Sequence, residues 1–179
     1  MRHQVQVRPL FSADEVEERI AALADRLYRD YADSPLAIVS IAEGAVRFSE
    51  ALVEELGGRG VSPEVHTLRA RRSRGMELGE VEVEAFDPAL LDDRDVLVVD
   101  DIADEGRTLR AVLELVSLSE ARSVRTAVLV RKASARSSGV PVDYVGFEIE
   151  GGWVVGFGMD LDGELRDLDE IGVVAGTEE

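Results

Sequence analysis

Residues 95–102, DVLVVDDI, form an almost unbroken apolar run that closes on two carboxylates. Such a run, without polar alternation, suits a strand buried on both faces, as in a parallel sheet covered by helices. After it comes ADEGRT, and then Leu109, Val112, Leu113 and Val116 line one face of a helix. Ligands of open α/β sheets bind at the carboxyl ends of strands, and that is where Asp100, Asp101, Asp104 and Glu105 crowd together. Gly106 permits a tight turn. The free N–H groups and positive dipole end of the following helix suit a phosphate, and Thr108 adds a hydroxyl. Asp100 and Asp101 suit polyol hydroxyls or a Mg²⁺-held sugar, and the loop Asp104–Thr108 suits a phosphate. Together they describe a sugar-phosphate site.

The rest of the chain alternates strands with helices. Ser12 and Glu15 form an S-x-x-E capping box before Val16, Ile20, Leu23 and Leu27, which predicts a helix ending near Tyr31. LAIVSI (36–41) reads as a buried strand. The turn Glu43-Gly44 leads into a helix through Val46, Leu52, Val53 and Leu56, closed by Gly57-Gly58. PEVHTL (63–68), VEVEAF (81–86), SVRTAVLV, VDYVGFEI and WVVGFGMD read as further strands. RARRSRGMELGE (69–80) reads as a mobile loop, and DPALLDDRD (87–95) as a solvated connection. The fold class expected is α/β, with a mostly parallel central sheet flanked by helices, in a single domain spanning 1–179.

With 37 acidic against 20 basic residues the net charge is −17. A surface of that sign repels nucleic acid and anionic membranes. It repels anionic substrates too unless local cations or Mg²⁺ correct the field. Lys132 is the single lysine; this acidic, lysine-poor composition matches proteins of high-salt cytoplasms and equally the codon bias of GC-rich genomes. There is no cysteine, so disulfide and thiolate chemistry are excluded. His3 and His66 are isolated and form no zinc spacing. No apolar run reaches membrane-spanning length, and MRHQVQVRPLF lacks a signal peptide's apolar core. A cytoplasmic location is the expectation.

VLVVDDIADEGRTL (96–109) resembles the phosphoribosyl diphosphate (PRPP) motif of type I phosphoribosyltransferases. The similarity covers nearly the whole chain and is strongest to the hypoxanthine/guanine branch. PLFSADEVEERI, LAIVSIAEGAVRFSEAL and VPVDYVGFEIEGGWVVGFGMDLDGELRDLDEIGVV (140–174) carry it beyond the loop. The resemblance implies transfer of the phosphoribosyl group of PRPP to a 6-oxopurine, giving a nucleoside monophosphate and pyrophosphate in purine salvage. It implies Asp104 as the carboxylate that assists proton removal from the purine. Lys132 would contact the exocyclic oxygen, Trp153 would stack on the base, and the Val154 backbone would read the purine edge. Asp160 would border the purine and, with Asp100 and Asp101, the Mg²⁺ ion. The PRPP site would comprise Asp100, Asp101, Asp104, Glu105, Gly106, Arg107 and Thr108, with Glu43, Gly44 and Arg166 at the pyrophosphate. A hood formed by roughly 1–11 and 143–174, and a homo-oligomer (dimer or tetramer), are implied as well.

Three positions depart from the family pattern. Glu105 stands where a Thr or Ser usually donates to the 5′-phosphate. Two unit charges ~5 Å apart at an effective dielectric of about 20 repel by roughly 3 kcal/mol, unless Glu105 turns outward or pairs with Arg107. Glu43 stands for a lysine in the pyrophosphate turn, and Ala70-Arg71, aligned through Gly79, for the Ser-Tyr pair of the catalytic loop. Arg69, Arg71, Arg72 and Arg74 bring cations to that loop, for closure or merely as a solvated basic surface. Each site residue also has a plain structural use: carboxylates cap helices, Trp153 lies in an apolar strand, and Arg166 suits a surface ion pair. Two readings therefore stand: a phosphoribosyltransferase, or a weak or inactive homologue that binds a purine or nucleotide as a regulator.

Overall fold

A computed structural model describes residues 6–72 and 81–177. The chain runs β1 (Val7–Phe11), α1 (Ala13–Tyr31), β2 (Leu36–Ala42), α2 (Val46–Gly58), β3 (Glu64–Arg72), β4 (Val81–Val83) and β5 (Asp95–Ala103). It continues through α3 (Arg107–Val116), β6 (Ser123–Lys132), α4 (Ala133–Ser138), β7 (Tyr144–Ile149), β8 (Val154–Val155) and β9 (Ile171–Val174). Six strands make one sheet in the order β4-β3-β2-β5-β6-β7. All its pairings are parallel except β3 with β4.

The apolar run of β5 is continuous because both its faces are covered. Leu97 and Val99 join the core built with Val16, Ile20, Phe48 and Leu52 of α1 and α2. Val96 and Val98 join a second core with Leu109, Val112 and Val116 of α3. Alternation along the strand thus serves two hydrophobic layers. Helix α1 starts at the predicted capping box: the Ser12 N–H donates to Glu15 Oε2 at 2.8 Å, and the Glu15 N–H to Ser12 Oγ at 3.3 Å. Strand order reverses between β2 and β5, so the ends of these two strands flank the crevice where an open sheet binds ligands.

A second, antiparallel sheet joins the two ends of the described chain in the order β1-β9-β8. Phe11 of β1 stacks on Phe147 of β7, ring centroids 3.9 Å apart, and ties this sheet to the main one. Tyr144–Ile149, expected within the hood from residue 143, is instead the edge strand of the main sheet.

Other local expectations are corrected. Residues 69–72 are strand rather than loop: Ala70, Arg71 and Arg72 pair antiparallel with Val83, Glu82 and Val81. Arg74 and Gly79 lie outside the described residues. The connection 87–95 holds a 3-10 turn, Pro88–Leu91, capped by Asp87, and its Leu91 is fully buried. VEVEAF and WVVGFGMD are strand only over 81–83 and 154–155, and α4 arises where no helix was expected. Among the described residues no helix is long and apolar enough to cross a membrane.

Candidate active site

A cavity of about 380 Å³ opens at the carboxyl ends of β2 and β5. Asp100, Asp101, the whole loop Asp104–Thr108, Gly44, Lys132, Trp153, Val154 and Asp160 line it. Residues separated by more than a hundred positions are brought together there. Glu43 and Arg166 do not line the cavity but are tied to it through Asp160. Ile41, Ala42, Ala70, Ile102, Ala103, Leu109 and Met159 complete the wall.

Asp100 ends the continuously buried run of β5, and Asp101 follows it partly buried. The Asp101 N–H donates to Asp100 Oδ1 at 3.0 Å, and the Ile102 N–H to Asp101 Oδ1 at 2.8 Å. Burial, and then the charge of Asp101, hold the Asp100 carboxyl well above the usual carboxylate range. Burial also pushes Asp101 upward, opposed by hydrogen bonds and by the Arg166 charge. Burial thus disfavours full ionisation of both carboxyls at once. Asp100, Asp101 and Asp160 border one cavity, yet no three acidic or His side chains among the described residues converge closely enough to hold a metal ion together.

Gly44 follows the peptide Ala42–Glu43, which is cis. A Cβ on Gly44 would fall on the Asp101 carboxylate, so this turn abuts the end of β5 only because residue 44 has no side chain. Gly106 adopts φ 73°, ψ 10° as it caps α3, and a Cβ there would lie 2.9 Å from Val140 Cγ2. Both the backbone angle and the crowding call for glycine. No side chain caps the start of α3, so its N–H groups face the loop.

Two kinds of ion pair border the cavity. On one side Lys132 Nζ donates to Asp104 Oδ2 at 2.8 Å, and Ser134 Oγ donates to Asp104 Oδ1 at 3.0 Å. Trp153, half exposed, donates its indole N–H to the Asp160 carbonyl at 2.9 Å. A cation, a carboxylate and an aromatic side chain thus line one cavity. In the second kind, Arg107 Nε lies 2.7 Å from Glu105 Oε2. Arg166 Nη2 lies 2.8 Å from Asp160 Oδ1 and 3.8 Å from Glu43 Oε2. The Asp160 carboxylate also accepts from the Gly163 N–H at 2.6 Å. Both glutamates that depart from the family pattern therefore stand against arginines.

Ser134 was not singled out from sequence. Its signal was weak, a lone serine two residues past Lys132, and only the turn into α4 brings it to Asp104.

A family model described as Phosphoribosyl transferase domain matches residues 10–162. The chain is 31% identical over 166 residues to the hypoxanthine-guanine phosphoribosyltransferase of Dictyostelium discoideum, covering 91% of this chain and 92% of that protein. It is 30% identical over 175 residues to the enzyme of the same name from Bacillus subtilis (strain 168), covering 97% and 96%. The solved structure of the hypoxanthine phosphoribosyltransferase from Trypanosoma cruzi, in complex with the product IMP, superposes with a TM-score of 0.87. Identity there is 25%, over 98% of this chain and 97% of that one.

Proposed function

This chain belongs to the type I phosphoribosyltransferase family, and from that premise we propose that it transfers the phosphoribosyl group of PRPP to a 6-oxopurine, hypoxanthine or guanine. The observation that carries the proposal is the Lys132–Asp104 pair at 2.8 Å, in a cavity that the half-exposed Trp153 also lines. A 6-oxopurine presents a carbonyl oxygen beside a ring N–H. Lys132 donates to the oxygen and Asp104 accepts from the ring nitrogen, so each side chain exchanges its partner for a ligand atom. An adenine amino group would face the Lys132 ammonium, donor against donor. Trp153 supplies the stacking surface.

The transfer forms a bond from a purine ring nitrogen to C1 of the sugar and breaks the bond from C1 to the pyrophosphate oxygen. The ring proton passes to Asp104. Positive charge develops on the sugar ring, and Asp100 and Asp101 at its hydroxyls favour that charge. Ser134 orients the Asp104 carboxylate. The N–H groups at the start of α3 receive the 5′-phosphate. Mg²⁺ would supply charge neutralisation on the diphosphate. Asp100 and Asp101 fit it, since one or two carboxylates plus substrate phosphates and water suffice for this ion.

A second reading is favoured by the Glu105–Arg107 and Glu43–Arg166 contacts. They neutralise cations where PRPP carries its phosphates, as befits a regulator that binds a purine or nucleotide without turning PRPP over. Turnover with PRPP and Mg²⁺, followed by ultraviolet absorbance, separates the readings. Hypoxanthine or guanine is expected to be converted and adenine refused; no conversion of either 6-oxopurine, at low or high salt, would leave only the regulator. A homo-oligomer, dimer or tetramer, is part of the proposal, and sedimentation of a lone monomer would remove that part.

A further inference from the structure

Arg47 stands on the first turn of α2, directly after the Ala42–Ala45 turn. Its guanidinium crosses to the segment between β8 and β9. Nη1 donates to the Leu168 carbonyl at 2.8 Å and to the Arg166 carbonyl at 3.4 Å. Nη2 pairs with the Asp169 carboxylate, and Cζ lies 4.4 Å from the centroid of the Phe157 ring. All four partners belong to residues 157–169. Within that segment the Phe157 N–H donates to the Leu168 carbonyl at 2.8 Å, and the Gly158 N–H to the Arg166 carbonyl at 3.0 Å. Arg47 therefore grips the base of a folded-back loop on both of its legs.

That loop carries Asp160 and Arg166. Next to the grip, Gly158 sits so close to the Gly44 carbonyl that a Cβ would collide with it. The Arg166 guanidinium reaches back toward the Gly158 carbonyl, 3.5 Å from Nη1. The position of Arg166 over Asp160 and Glu43 is thus set by backbone that Arg47 holds. A planar guanidinium can meet two carbonyls, a carboxylate and a ring face at once; an ammonium cannot.

We propose that Arg47 is a positioning residue of this site, locking residues 157–169 against the start of α2 so that Arg166 and Asp160 stand beside the 42–44 turn. Its kinetic consequence rests on the reading of the cavity as a PRPP and purine site; its structural consequence does not. Misplacing a binding group by about 1 Å can cost up to ~100-fold in rate or affinity.

The test uses Arg47→Met, which keeps the aliphatic stem, and Arg47→Lys, which keeps the charge. Trp153 is the sole tryptophan, and its bond to the Asp160 carbonyl makes it a reporter of the loop without substrate. In Arg47→Met we expect acrylamide quenching of Trp153 to rise about twofold and the Phe157 and Gly158 amides to exchange faster, with Val96–Val99 keeping their protection. The KM for PRPP should rise about tenfold with a smaller change in kcat, and Arg47→Lys should restore less than half of the loss. Unchanged quenching and exchange, equal loss of protection in β5, or a loosened loop with unaltered PRPP affinity would each overturn the proposal. If the parent chain converts no purine, the proposed function fails, and the grip is decided by quenching and exchange alone.

Discussion

Two groups of charged residues at the cavity, one suited to a base and one to an anion, are built from similar side chains arranged to opposite effect. Around Lys132, Asp104 and Trp153, the cation and the carboxylate hold each other, and Lys132 is largely buried while Asp104 is partly open. A neutral base with an acceptor and a donor can give each of them a hydrogen bond in place of that contact. Around Glu105 and Glu43, the arginines that would meet phosphates face carboxylates on the same protein. An incoming phosphate there must displace a charge or accept its repulsion. The lesson is that equal numbers of acids and cations do not make equal binding sites; what matters is whether the ligand substitutes for a partner or competes with one.

Removing the acceptor from the base-suited group should have the largest effect. Asp104→Asn should lower kcat about 10²- to 10⁴-fold with a smaller change in the KM for PRPP. Steady-state kinetics at saturating PRPP checks this, and a kcat within a factor of about three would remove Asp104 from proton transfer.

The anion-suited group should respond in the opposite direction. Glu105→Thr removes a competing carboxylate and supplies a hydroxyl donor. Isolated charges would predict a gain near 3 kcal/mol, but Glu105 is half exposed and already paired with Arg107 at 2.7 Å. Screening and the lost ion pair reduce the effect, so PRPP affinity should rise about tenfold. Calorimetry with Mg²⁺ measures it, and equal or weaker affinity would show that the pair helps rather than hinders.

The acidic pair Asp100 and Asp101 lines the same cavity. Asp100 is held above its ordinary range chiefly by burial, so the folded chain binds that proton more tightly than the unfolded chain. Stability contributed by this group is greatest below the unfolded value near 4 and is lost as pH rises through the raised native value. Asp100→Asn should therefore stabilise the substrate-free protein at pH 7 and have little effect below pH 4. Urea melts at the two pH values decide it; equal stabilisation at both would refute the linkage. Trp153→Phe should have the smallest effect, a loss of about threefold in purine affinity, because one ring face remains while the hydrogen bond to the Asp160 carbonyl goes.

How much of this was legible in the sequence depended on whether the signal was local. β5, its loop and α3 were readable because burial on both faces, a glycine turn and helical spacing lie in one stretch. The capping box at Ser12 was readable for the same reason. The extension of β3 through Arg72 was not, because an arginine-rich segment shows no apolar alternation and is defined by its pairing with β4. Leu91 was missed because one buried leucine among four acidic residues leaves no period to detect. Glu105 is recognisable as a departure, either turned outward or paired with Arg107, and only the folded loop selects Arg107. Arg47 looked like any exposed helical arginine, since its partners lie about 120 residues away in sequence and are mostly backbone carbonyls, which have no residue code.

The most direct test of the account is a calorimetric titration of the unmodified protein with PRPP and Mg²⁺, at low and high salt, followed by addition of guanine or hypoxanthine. The account predicts saturable PRPP binding below millimolar concentration, and release of one pyrophosphate for each nucleoside monophosphate formed once the purine is added. Absence of PRPP binding at millimolar concentration under both salt conditions would contradict it.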